Sequence, residues 1–170
     1  MNKSTLGLVA LVGLTACLGF AHAGTEDATC KLVFEATAKS LTTPNHLYMK
    51  TSLPKVNDGK PADSEFINTG KARYRKQDDG TWVAASSPQD ELDQMADNRK
   101  ENQYICRFIR GESIDGVAAS LYEFRSDTGL ITKTWLSKSN GLPVHVIIGT
   151  GGIGFEERIV YGPVTAPPVK

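Results

Sequence analysis

Residues 104–148 read YICRFIRGESIDGVAASLYEFRSDTGLITKTWLSKSNGLPVHVII. Apolar and polar side chains alternate through this stretch, and Asp115-Gly116, Thr128-Gly129 and Asn140-Gly141 interrupt it at regular intervals. Period-two alternation is the mark of a strand with two unlike faces, and such dipeptides supply the turns of hairpins. The spacing predicts strands over 104–110, 117–125, 130–137 and 144–148. Connections this short join antiparallel neighbours.

The same reading extends outward in both directions. Residues 155–161 form a last strand, and Pro163, Pro167 and Pro168 mark a frayed tail. Upstream, Ser87 is placed to cap a helix that begins at Pro88 and runs to about Lys100. Its apolar seam is narrow (Leu92, Met95, Ala96), and Asp90, Glu91, Asp93, Asp97, Arg99 and Lys100 read as a solvated face. Strands are expected at 64–68, 71–76 and 81–85, with a loop over 56–62. Leu47, Met49, Thr51 and Leu53 share one face of a further strand, and His46, Tyr48, Lys50 and Ser52 the other. Residues 25–41 form an amphipathic helix with Cys30, Val33, Phe34 and Leu41 on its buried stripe, and Thr42-Thr43-Pro44 ends it. The expected class is α+β. A curved antiparallel sheet, half-barrel-like, carries the N-terminal helix and the short middle helix on one face.

The chain has 170 residues, with 19 basic and 19 acidic side chains. This balance excludes the clustered positive charge on which nucleic-acid affinity depends. A composition of 40% hydrophobic and 22% charged residues excludes a disordered chain.

Residues 1–23 carry Lys3, an apolar run from Leu6 through Phe20, and Ala21-His22-Ala23 at the end, the three parts of a secretory signal. The run is too short for a convincing membrane span. A second reading stands beside the first: Leu14-Thr15-Ala16-Cys17 resembles a lipobox, in which Cys17 is lipidated and anchors the protein. The expected organisation is a signal over 1–23, one domain over 24–163 and a Pro-rich tail over 164–170, in a periplasmic or secreted protein or, by the alternative, a membrane-anchored lipoprotein. Either processing route leaves Cys30 and Cys106, which in an oxidising compartment read as a disulfide closing a loop of ~77 residues.

Gly149-Thr150-Gly151-Gly152-Ile153-Gly154 matches the dinucleotide pattern G-x-G-x-x-G. A strand pattern follows it where that motif needs a helix, so it reads as a hairpin loop and no cofactor is expected. His46 and His145 stand without metal ligands at suitable spacing, so no metal site is expected either. No nucleophile elbow is present. Tyr48, Trp82, Tyr104, Phe108, Tyr122 and Trp135 suit core packing or the lining of an apolar cavity.

The succession of Thr42-Thr43-Pro44-Asn45-His46, Ser64-Glu65-Phe66-Ile67, Tyr74, Gly80-Thr81-Trp82, Cys106, Gly116 to Tyr122, Thr134-Trp135-Leu136-Ser137-Lys138-Ser139-Asn140-Gly141-Leu142-Pro143, Tyr161 and Ala166-Pro167 resembles a group of small secreted proteobacterial proteins of unassigned function. The tryptophan strand ending in Gly-Leu-Pro also resembles half-barrel periplasmic carriers of lipoproteins and lipids, the LolA and LppX type. That resemblance implies a non-enzymatic protein holding a lipid or lipoprotein acyl chain between sheet and helices, with the six aromatics as its lining. The alternative is an envelope scaffold with a solid core and a protein partner. A third reading, an enzyme, requires His46 or His145 in a cleft beside a carboxylate and a hydroxyl.

Overall fold

A computed structural model describes residues 28–52, 62–150 and 153–169. Helix α1 spans Ala28–Thr42 and helix α2 Pro88–Glu101. The strands are β1 (Asn45–Ser52), β2 (Ala62–Asn68), β3 (Arg73–Lys76), β4 (Trp82–Ala84), β5 (Tyr104–Ile114), β6 (Val117–Ser126), β7 (Ile131–Ser137), β8 (Pro143–Thr150) and β9 (Ile153–Tyr161). They form one sheet in the order β4-β3-β2-β1-β9-β8-β7-β6-β5, with antiparallel pairing throughout. The sheet is curved and does not close, and the fold is an α+β half-barrel. The long-range step places β9 between β1 and β8, so the first and last strands pair in the middle of the sheet.

Helix α1 buries Cys30, Val33, Phe34, Ala36 and Ser40. A disulfide joins Cys30 to Cys106 across a Cα–Cα distance of 5.1 Å. Around it pack Phe34, Met95, Tyr104 and Phe124. The other end of α1 is held by two buried asparagines. Asn45 donates to the carbonyls of Ser40 and Thr43 at 3.1 and 2.8 Å, and Asn68 to that of Leu41 at 2.8 Å. These amides satisfy carbonyls that a helix leaves without partners at its C-terminus. Gly70 makes this closure fit. Its φ is +82°, and a Cβ there would sit 2.7 Å from the carbonyl oxygen of Thr42.

Helix α2 starts with a capping box. The Ser87 hydroxyl accepts from the Asp90 N–H, and the Asp90 carboxylate accepts from the Ser87 N–H, each at 3.1 Å. Its buried residue is Pro88, so it rests on the domain rather than in it. Arg99 helps to hold it, lying 4.7 Å over the ring of Phe34.

Three differences from the sequence reading have physical causes. Strand β5 continues past Arg110 to Ile114, because a bulge between Phe108 and Arg110 absorbs the break in alternation. The tail returns to the sheet, where Val169 forms a parallel bridge with Trp82. Strands β8 and β9 flank the glycine-rich stretch as expected but run further into it, to the Gly149–Gly154 and Thr150–Ile153 pairs. The expected leader with Cys17 and most of the expected 56–62 loop lie outside the described residues, as do Gly151 and Gly152. Among the described residues no helix is long and apolar enough to cross a membrane.

Candidate functional site

The inner face of the sheet, toward the helices, follows from the register. Leu47 pairs with Ile159 and Phe66, Glu157 with Met49 and Val146, and Thr134 with Val146. Between this face and the helices lies an open cavity of about 430 Å³. That volume lies in the range of small-molecule sites, roughly 300–1,000 Å³. Its floor is Leu47, Val146, Ile148 and Ile159 with Thr132 and Thr134, and its helical walls include Phe34, Leu41 and Met95. The disulfide cluster lends Tyr104 and Phe124 to one end.

The other end is charged. Arg73 Nη1 lies 2.6 Å from both carboxylate oxygens of Glu91, and these side chains are 17% and 18% exposed. Glu91 belongs to the face of α2 expected to be solvated; the correction is that Arg73 of β3 meets its carboxylate and the pair is largely withdrawn from solvent. Glu157 also borders this cavity. Burial pushes its carboxyl above the usual range; Arg73 opposes the shift and Glu91 adds to it. Among the described residues no hydrogen bond reaches the Glu157 carboxyl. Thr132 is 2% exposed, and its hydroxyl has no partner among them. Tyr161 ties two lining residues together, sharing a hydrogen bond with Ser40 at 2.6 Å and donating to the Pro143 carbonyl at 2.8 Å. Burial first, and the charge of Glu157 further, push its phenol up to about 12, while the Ser40 bond pulls the other way.

The outer face is built differently. Lys76, Glu65, His46 and Tyr48 form a chain of contacts over β3, β2 and β1. Lys76 Nζ is 2.9 Å from Glu65 Oε2, Glu65 Oε1 is 2.7 Å from His46 Nε2, and His46 Nδ1 is 3.1 Å from the Tyr48 hydroxyl. A neutral imidazole with its proton on Nε2 satisfies both of its contacts. The Lys76 hydrogen bond, joined by that of His46, holds the Glu65 carboxyl below its ordinary value against a burial cost. The residue types required of an enzyme do meet here, but on an open strand surface. A shallow hollow of about 510 Å³ lies beside them, with Tyr48, Lys50, His145, Glu156 and Arg158 on its walls. Its charges are of mixed sign and already face one another. Among the described residues no group of three or more His, Cys, Asp or Glu side chains gathers to hold a metal.

The six aromatics expected as lining are scattered. Tyr104 borders the cavity. Phe108 and Tyr122 share its face and stack edge-on at 5.6 Å, beyond its lining. Tyr48 is on the outer face, stacked on His46 at 4.4 Å. Trp82 is on the outer face of edge strand β4, with Lys76 at 5.7 Å over its ring. Trp135 is buried in an outer cluster with Ala119 and Leu121, covered by Ile109, Ile114 and Val144, and its Nε1 donates to Glu112 at 2.7 Å. For Tyr48, Trp82 and Trp135 the correction has one cause: strand alternation puts each on the face turned away from the helices.

No family model matches this chain, and no curated protein does. Solved structures do. The chain superposes on MucB with a TM-score of 0.52 at 12% identity, covering 81% of this chain and 60% of that one. It matches the Mycobacterium tuberculosis lipoprotein LppX with a TM-score of 0.44 at 17% identity, over 81% and 96% of the two chains. LprF from Mycobacterium bovis gives 0.44 at 14% identity, over 80% and 94%. The likeness is one of fold. The LppX type that the sequence resembles is among the solved structures to which this chain is similar.

Sequence reasoning missed Glu157, Arg73, Glu91 and Thr132. A signal for Glu157 was present: it shares its strand face with Phe155, Ile159 and Tyr161, an acid in an otherwise apolar row. Arg73 and Glu91 gave none, because their meeting depends on where α2 crosses the sheet.

Proposed function

We propose that this is an exported, non-enzymatic protein that holds a lipid-like ligand in the cavity between its sheet and helices. The observation that carries the reading is the cavity itself, which is open, largely apolar and bordered by a buried hydroxyl without a partner. A buried polar group left unpaired costs stability unless something meets it, and a ligand in the cavity would do so. The disulfide supports an oxidising compartment. The half-barrel fold supports the carrier reading as the architecture shared with the lipoprotein LppX. On this reading residues 1–23 are removed on export, the domain covers 24–163 and the tail 164–170; retention at Cys17 would anchor the same carrier to a membrane. The cavity weighs against a scaffold with a solid core.

The test is to purify the protein from its native envelope and extract it for lipid mass spectrometry, beside a Val146→Phe variant that fills the floor. A stoichiometric lipid in the wild type and its loss in the variant, with the fold intact by circular dichroism, is the expected outcome. A wild-type protein that carries no lipid and takes up no acyl-chain dye would sink the reading.

A further inference from the structure

We propose that the cavity selects an uncharged amphiphile, its hydrogen-bonding head on Glu157 and its apolar part toward Phe34, Tyr104 and Phe124, and that it excludes carboxylate- and phosphate-headed lipids. This rests on the cavity being a ligand site and adds the chemical class of the ligand.

Three observations carry it. First, the cavity is polar at one end and aromatic at the other, so it orients an amphiphile. Second, Arg73, the cation at the polar end, is already engaged. Its guanidinium meets both oxygens of Glu91 and lies 4.4 Å over the Phe66 ring. An anionic head arriving there meets a guanidinium already neutralised by Glu91, and burying a charge without a counter-charge is strongly unfavourable. Third, the Glu157 carboxyl near the charged end and the Thr132 hydroxyl farther along the floor have hydrogen-bonding capacity to spare, and Thr132 is 2% exposed with no partner among the described residues. A hydroxyl can donate to an ester or amide carbonyl, and a carboxyl held in its neutral form can donate and accept with alcohols and carbonyls. Burial favours that neutral form at Glu157. Acyl esters and amides of polyols have this combination of groups.

The experiment titrates the delipidated full chain at pH 7 with four twelve-carbon probes: monolaurin, laurate, dodecyl phosphate and dodecylamine. Each is kept below its micelle concentration and read by displacement of a bound naphthalene dye. Monolaurin should bind at least about tenfold more tightly than laurate or dodecyl phosphate. Glu157→Gln, a neutral group for a neutral group, should leave monolaurin and laurate binding each within about threefold, and Glu157→Lys should reverse the order of the two. Laurate binding the wild type as tightly as monolaurin overturns the selection while leaving the cavity reading standing. Dodecylamine as the tightest probe overturns the uncharged class in favour of a cationic one. An unchanged ratio in Glu157→Lys removes Glu157 from the assignment. If neither the dye nor any probe binds, the cavity reading fails as well.

Discussion

The two faces of the sheet handle polar groups in opposite ways. On the outer face carboxylates are met by donors. Glu123, 7% exposed, takes Arg107 at 2.7 Å and Arg125 at 3.1 Å; Glu112 takes Trp135 and Arg110; Glu65 takes His46 and Lys76. On the inner face the Arg73–Glu91 pair is complete, but Glu157 and Thr132 wait on the cavity. One outer exception is His145 Nδ1, buried without a hydrogen bond among the described residues, whose ring stands edge-on to Trp135 at 5.0 Å. The comparison separates two uses of buried polarity. Satisfied networks fix structure, whereas unsatisfied groups turned into a void mark where something else binds.

The largest effect should come from the inner face's covalent tie. Replacing Cys30 and Cys106 together by serine removes a cross-link over a sequence separation of 76. The chain-entropy model puts the loss at up to about 4–5 kcal/mol. Urea unfolding would measure it. A loss below about 1 kcal/mol would mean that the packing of α1 holds the inner face without the staple.

Next is the outer core. Trp135→Ala should cost about 3 kcal/mol, the low end for truncating a buried aromatic residue, and leave Glu112 without its indole donor. Affinity for an acyl-chain dye should not change in the folded fraction, because Trp135 faces away from the cavity. A dye affinity that collapses in step with this substitution would break the separation of the two faces.

That prediction turns on a point the sequence hid. Much of the fold was readable. The stripe of Cys30, Val33 and Phe34 marked α1, Ser87-Pro88 marked the start of α2, and the turn dipeptides marked the hairpins. Period-two patterns over β7 put Trp135 on one face and Thr132 and Thr134 on the other. They do not say which set faces the helices when both faces of a sheet are buried. In β7 the threonines face the helices and the tryptophan does not, because the β5–β6 hairpin covers the outer side with Ile109 and Ile114. A cover formed by residues far along the chain leaves no local trace. The same holds for Arg73 and Glu91, whose pairing is set by the tertiary path of α2.

A smaller effect tests the wall of the cavity. Ser87→Ala removes the hydroxyl half of the capping box at the start of α2 and should cost about 1 kcal/mol. Because Glu91 lies in the first turn of that helix, the substitution should also weaken dye binding modestly. An unchanged dye affinity would show that the first turn of α2 does not shape the site.

The finest test uses pH, because the two faces carry opposite signs. Burial opposes ionisation of Glu123, but hydrogen bonds from Arg125 and Arg107 outweigh it and hold its carboxyl below 4.5. Glu65 is lowered as well. A carboxyl whose folded value is depressed adds stability above its unfolded value, and that stability is lost as pH falls through the folded one. Glu157 is raised above 4.5. In acid it is protonated both folded and unfolded, so it adds nothing. As pH rises past 4.5 the unfolded chain ionises first, and the folded state loses ground until pH passes the folded value. The charged or titratable groups that act on it are Arg73 from β3, Glu91 from α2 and Tyr161 on its own strand. Glu157→Gln should therefore match the wild type near pH 4 and become the more stable of the two above it, by a margin that grows until the folded carboxyl ionises. Urea midpoints of both proteins from pH 4 to 8 would measure the divergence. Parallel curves over that range would mean that Glu157 titrates like an exposed acid, and the inner face would then share the outer face's solvation.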